Sequence, residues 1–192
     1  MEKDEKIQKK SIKIDISDGV VVLGKRGSGK STLCRYLISS LKYRFVVIDV
    51  VGNFSYLKDN EKVEYHLINP HSTETIDEIC RNTMSEGNKM LVLDEADRLS
   101  YSTMLSDTLN LGRNYGVGYI ATARRTANIH KDYLANQKHA FIFKHTYPRD
   151  VKVLEEWLNV ESELLRNVQP YKPLYFYEDE LKSTFNYSGV KK

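Results

Sequence analysis

One octapeptide constrains this chain more than any other feature: Gly24-Lys25-Arg26-Gly27-Ser28-Gly29-Lys30-Ser31, which has the form G-x-x-x-x-G-K-S. Its glycines permit backbone angles closed to other residues, so successive N–H groups can turn inward onto phosphate oxygens. Val20–Leu23 before it is a continuous apolar run, the mark of a buried central strand, and Ser31–Leu41 after it reads as a helix. A strand feeding a glycine loop that opens a helix aims the helix's positive end at the same anions. The motif thus predicts a nucleoside triphosphate, ATP, as ligand of Gly24, Lys25, Arg26, Gly27, Ser28, Gly29, Lys30, Ser31 and Thr32. Lys30 brings a point charge to the β- and γ-phosphates, and the Ser31 hydroxyl is placed to ligate Mg²⁺.

The rest of the chain repeats the strand–helix alternation. Strands are predicted at Phe45–Val50, Tyr65–Ile68, Met90–Leu93, Val117–Ala123 and Ala140–Lys144, with Leu174–Tyr177 closing the sequence. Helices are predicted at Thr75–Met84, Tyr101–Arg113, Lys131–Asn136, Pro148–Leu158 and Glu161–Val168. Ile12–Ile16 alternates apolar and polar residues like a short edge strand, and Asp18-Gly19 is a turn signal. This pattern implies an α/β fold with a mainly parallel sheet of RecA-like type and helices on both faces. Residues 1–10 read as a disordered charged tail, and 11–192 as a single ATPase domain.

A second motif supplies the chemistry. Met90-Leu91-Val92-Leu93 is an apolar strand that ends in Asp94 and Glu95. Asp94 is expected to hold the Mg²⁺ shell. Glu95 is expected to polarise the attacking water as a general base, which favours hydrolysis over transfer to a bound metabolite. Asp94-Glu95-Ala96-Asp97 also spells the motif of the DEAD-box helicases, but those enzymes have two tandem domains and this chain has room for one.

Gly112-Arg113-Asn114-Tyr115-Gly116-Val117-Gly118 leads into an apolar strand that is followed by Arg124-Arg125. From about Val20 to Lys144 the chain resembles the HerA/FtsK superfamily of ring-forming DNA motors. Its compactness resembles the genome-packaging ATPases of icosahedral viruses with internal membranes. The resemblance implies double-stranded DNA as partner, a homo-oligomeric ring, and a capsid vertex or membrane protein as a further contact. It also implies that Arg113 is an arginine finger acting on a neighbouring subunit's γ-phosphate. At the position where the family usually carries a sensor glutamine, this chain has Arg124, which can only donate. Arg124 and Arg125 are equally placed to face DNA, and the sequence does not separate these roles. Asp49 stands where the family often has an acid. Loop Val51–Lys62 reads as a surface loop, with lining of a ring's pore as the alternative.

Charge sharpens the partner question. The net charge is +3, and residues 113–152 hold eight basic residues against Asp132 and Asp150. Such a segment would help present positive charge to a phosphate backbone. No apolar stretch is long enough to span a membrane, and a cytoplasmic location is expected. Cys34 and Cys80 read as reduced, packed thiols. A HerA-like motor of a plasmid or cell, and a nucleotide-controlled switch that does not translocate, remain as competing readings.

Overall fold

A computed structural model describes residues 12–185 and residue 187. The strands are β1 Gly19–Leu23, β2 Arg44–Asp49, β3 Val63–Leu67, β4 Lys89–Leu93, β5 Gly118–Ala123, β6 Gln137–Ile142, β7 Leu174–Tyr177 and β8 Glu180–Thr184. The α-helices are α1 Lys30–Ser40, α2 Thr73–Glu86, α3 Thr103–Leu111, α4 Lys131–Ala135, α5 Pro148–Leu158 and α6 Ser162–Asn167. All eight strands form one sheet in the order β3-β2-β4-β5-β1-β6-β7-β8. Pairing is parallel from β3 through β6 and antiparallel from β6 to β8. This is the α/β, mainly parallel sheet that the strand–helix alternation implies.

The apolar runs are continuous because each strand feeds two cores. Val21 and Leu23 of β1 join Val46, Ile48, Leu91, Leu93, Ala121 and Ile142 on one face, under α2 to α6. Val20 and Val22 join Phe45, Val47, Met90, Val92, Ile120 and Phe141 on the other. There Leu33, Cys34, Leu37 and Ile38 of α1 cover them. Successive side chains on a strand point to opposite faces, so a strand covered on both sides needs apolar residues throughout. Leu33 is fully buried, and truncating it to alanine would cost about 2–5 kcal/mol. Both cysteines are buried and free, and burial pushes the Cys80 thiol up to about 12.

Three expectations need correction. Ile12–Ile16 forms no strand, because both edges of β1 are already taken by β5 and β6. The segment is held instead by the buried Ile14 side chain and by Tyr43, whose hydroxyl donates to the Ile14 carbonyl at 2.8 Å. The chain also does not close at β7. It turns back as β8, an exposed polar strand with no apolar face to reveal it. Finally, helix α3 starts at Thr103 rather than Tyr101, since the Ser102 hydroxyl caps it by accepting from the Leu105 N–H at 3.1 Å. The tail at residues 1–10 lies outside the described residues.

Because the parallel strands share one direction, the loops after β1, β2, β4, β5 and β6 all open at the same sheet edge. Leu23 pairs with Ala123 on one side and Ile142 on the other, which brings the glycine loop to the middle of that edge. Ligands of open α/β sheets bind at this carboxyl edge.

Candidate functional site

The loop after β1 is fastened to both neighbouring strands. The Gly24 N–H donates to the Ala123 carbonyl at 3.1 Å, and the Lys25 N–H to the Lys144 carbonyl at 3.3 Å. Gly24 has no room for a side chain: an added Cβ would lie 2.5 Å from Phe143 Cβ and 2.9 Å from Ser28 Oγ. Gly29 caps α1 at φ +111°, in the left-handed region that favours glycine. The Lys30 ammonium is buried inside the loop and donates to the carbonyls of Gly24 at 2.8 Å and Lys25 at 3.2 Å. Two of its three donors thus hold the loop's shape, which leaves one for an incoming phosphate. Burial pulls Lys30 below the usual lysine range, and the carboxylates of Asp97 and Asp94 oppose that pull.

This loop fits a polyphosphate. The first N–H groups of α1 have no partner within the helix. The Ser28 hydroxyl is buried and has no hydrogen-bond partner among the described residues. Ser31 lies in the first turn of α1 and Asp94 directly follows β4. A hydroxyl and a carboxylate of this kind suit Mg²⁺, a hard cation usually bound by one or two protein oxygens together with substrate phosphates.

The acid side of the site is wired by residues that the motifs do not contain. Asp94 is buried, and its carboxylate accepts from the Thr122 hydroxyl at 2.8 Å and from the Asn53 amide at 2.9 Å. Burial pushes its carboxyl up, and these two hydrogen bonds oppose the shift. The same Thr122 hydroxyl accepts the Glu95 N–H at 2.9 Å, so one hydroxyl on β5 sets both acids of β4. Glu95 itself sits at φ +50°, a conformation uncommon for any residue but glycine. Its carboxylate pairs with Arg98 Nη1 at 2.9 Å and lies 3.2 Å from Arg124 Nε. The Arg98 pair is a hydrogen bond. The Arg124 pair is an ion pair without hydrogen-bond alignment, and its Nε has no such partner.

Asp97 accepts the N–H groups of Arg124 and Arg125 at 3.2 Å each, which ties the turn after β4 to the turn after β5. The two arginines then part. Arg124 faces Glu95. Arg125 donates to the buried Asp150 at 3.0 Å and lies 3.9 Å above the Tyr147 ring. Lys25, Arg26, Arg124, Arg125, His145, Thr146, Tyr147 and Asp150 line a depression of about 320 Å³ beside the loop. Four cations against one acid make it suited to anionic groups.

Asp49 is an organiser of loop structure. Fully buried, it accepts the N–H groups of Val51, Gly52 and Phe54 at 3.0, 2.8 and 2.7 Å, and the Tyr65 hydroxyl at 3.0 Å. The wrapped loop buries Phe54 and Leu57 and delivers Asn53 to Asp94. The loop is exposed over most of its length, as a surface loop is, but residues 51–57 are also tied to the core and to the acid pair.

Arg113 lies elsewhere. It is exposed in the short 3₁₀ turn Gly112–Tyr115, just before β5 begins, at the edge of the sheet opposite the glycine loop. A six-residue strand separates the two edges by about 20 Å, beyond the reach of a side chain. The basic segment 113–152 likewise forms no single face. Lys138 pairs with Asp18 at the far edge, Arg124 and Arg125 pair with Glu95 and Asp150 at the near edge, and Lys152 pairs with Glu156 on α5.

In the sequence Asn53 stands only among the residues of a loop that could line a pore, and Asp97 and Thr122 carry no site role. Thr122 alone left a signal, as the one hydroxyl inside the buried run Ile120-Ala121-Thr122-Ala123.

The sequence model of the AAA domain matches residues 18–125. No curated protein matches the chain. Among solved structures, the genome packaging NTPase B204 of Sulfolobus turreted icosahedral virus 2, in complex with ATP-γS, superposes with a TM-score of 0.75 at 17% identity, covering 90% of this chain and 99% of that one. The same NTPase with sulfate gives 0.77 at 18% identity, covering 90% and 98%. EccC of Thermomonospora curvata, ATPases 2 and 3, gives 0.70 at 17% identity, with 90% of this chain covering 39% of that one. At these identities the likeness speaks for the fold.

Proposed function

This chain belongs to the AAA domain family, and on that premise we propose that it hydrolyses ATP to move double-stranded DNA as one subunit of a homo-oligomeric ring, with packaging of a viral genome as the task. The observation that carries this reading is the split between the two sheet edges. Lys30, Ser31, Asp94 and Glu95 gather at one edge, while Arg113 stands exposed at the other. An arginine there completes a catalytic site only by reaching into a second copy. The superposition on a packaging NTPase, over 90% of this chain and 99% of that one, supports the task.

In this reading, Gly24–Thr32 binds the triphosphate and Lys30 neutralises its β- and γ-oxygens. Bound Mg²⁺, held by Ser31 and Asp94, would screen phosphate charge. Glu95 takes the proton of the attacking water, with Thr122 fixing its backbone. To do so its carboxylate leaves Arg98, and Arg124 then faces the γ-phosphate. Residues 11–192 form one ATPase domain, with β7 and β8 extending the same sheet. No helix of the described residues is long and apolar enough to cross a membrane. A capsid vertex or membrane protein is a further partner in this reading.

The pairing of Glu95 with Arg98 favours a second reading. A general base engaged by arginines suits a nucleotide-controlled switch that hydrolyses slowly. Steady-state hydrolysis with and without double-stranded DNA, at low and high salt, separates the two. A motor is stimulated by DNA, loses that stimulation in salt, and is reduced by about 10²-fold or more in Glu95→Gln. A slow rate indifferent to DNA contradicts the translocase.

A further inference from the structure

The glycine loop has an aromatic neighbour that the phosphate chemistry does not use. Gln169-Pro170-Tyr171-Lys172 is a tight turn closed by the Lys172 N–H donating to the Gln169 carbonyl at 3.2 Å. Proline stands at its second position, and Tyr171 at its third has φ +58°. A turn with proline second and positive φ third is of type II, which calls for glycine or asparagine at the third position. A tyrosine there is strained, and strain of this kind clusters at ligand sites.

The strained residue touches the loop. The Tyr171 N–H reaches the Ser28 carbonyl at 3.5 Å, and an added Cβ on Gly29 would lie 2.8 Å from Tyr171 Cδ1. Beside it Tyr187 donates its hydroxyl to the Gly29 carbonyl at 3.0 Å. Tyr187 is buried among Tyr36, Phe143 and Phe185. Tyr171 is 48% exposed, and its ring enters no aromatic pair among the described residues.

A nucleotide with its γ-phosphate end turned toward the acids that follow β4 would send its nucleoside end to the other side of β1, where β6 and β7 lie. Leu174 of β7 pairs with Ile142 of β6, so residues 171–173 lie at the same sheet edge as the loop. The cationic depression beside Arg26 and Arg124 suits phosphate oxygens better than a neutral ring.

We propose that Tyr171 is the shelf on which the base of the bound nucleotide stacks. The proposal rests on the reading of Gly24–Ser31 as the triphosphate site. Every base has a π-face, so stacking tolerates different bases, and the shelf separates nucleotides from bare polyphosphates more than ATP from GTP.

The test compares ATP with inorganic tripolyphosphate by calorimetric titration on the wild-type chain, Tyr171→Asn and Tyr171→Phe, with thermal melts of each. Asparagine suits the turn, so Tyr171→Asn should melt no lower than wild type. It should bind ATP roughly 10-fold more weakly while binding tripolyphosphate unchanged. Tyr171→Phe should keep wild-type ATP affinity. A folded Tyr171→Asn that binds ATP as tightly as wild type overturns the shelf and leaves the phosphate site standing. A wild-type chain that binds neither ATP nor tripolyphosphate overturns both.

Discussion

The two edges of this sheet carry polar residues at similar strand positions, yet they use them differently. At the edge after β1 and β4, buried polar groups are aimed at a common space: Lys30, Asp94 and Thr122 converge there with Glu95. At the other edge they are paired off against one another. Asp18 accepts from Lys138 at 3.2 Å and meets buried His139 at 3.1 Å, and His139 in turn meets the Tyr175 hydroxyl at 2.9 Å. One edge keeps polar capacity open toward the loop, as in the unpartnered Ser28 hydroxyl, while the other uses most of it in holding the segment before β1 to β6 and β7, with Gln137 Oε1 left unpartnered. Buried polar groups thus point to function where several converge on one space, and to architecture where they pair off against one another. Arg113 is the exception, the exposed cation that in our proposal carries the far edge of one subunit to the near edge of the next.

The comparison breaks most visibly at Arg113. If it acts on a neighbour, Arg113→Ala should lower hydrolysis by the assembled protein by about 10³-fold or more, with ATP binding unchanged. Unaltered turnover in an assembled Arg113→Ala protein would return the far edge to a purely structural role. Next comes the hydroxyl that sets both acids. Thr122→Val leaves a buried carboxylate short of a donor, so a loss of about 1–3 kcal/mol in chemical denaturation is expected, together with slower turnover. A smaller effect is expected at Arg98. Arg98→Ala frees one oxygen of Glu95, and basal hydrolysis without DNA should rise by a few-fold in a steady-state assay. A fall would mean that Arg98 positions Glu95 productively.

The smallest effect concerns pH at the far edge. Burial holds His139 below its ordinary value of 6.5, against the pull of Asp18. Burial pushes Asp18 up, but the Asp15 N–H, His139 and Lys138 together bring it below 3.8. The unfolded chain therefore binds the imidazole proton more readily than the folded one. The contribution of His139 is complete above pH 6.5 and is lost as pH falls from there to its depressed folded value. That of Asp18 is lost only at much lower pH. Melting temperature should decline on acidification from pH 7 to 5, and His139→Gln should flatten the profile.

What the sequence disclosed follows from how local each device is. Gly24–Ser31 and the strand ending in Asp94-Glu95 are contiguous, so backbone angles and strand ends can be read directly from neighbours. Thr122, Asn53 and Asp97 matter because parallel crossovers bring the ends of β5, β2 and β4 together, and no spacing along the chain encodes that meeting. Ile12–Ile16 has the alternation of a strand but leads into β1, whose two sides are taken by β5 and β6. β8 has an edge but lacks the alternation. Charge counted over 113–152 does not map to one face for a related reason, since each strand starts at one edge and ends at the other, so residues before and after β5 fall at opposite edges. The α/β class was legible because two-sided burial leaves a signal in every central strand.

The measurement that tests the account most directly mixes two inactive subunits. Glu95→Gln keeps Arg113, and Arg113→Ala keeps Glu95, so a mixed ring contains some interfaces with both groups intact. Our reading predicts that the mixture hydrolyses ATP well above either variant alone. A mixture no faster than its components, or an Arg113→Ala protein active by itself, would contradict a catalytic site completed across two subunits.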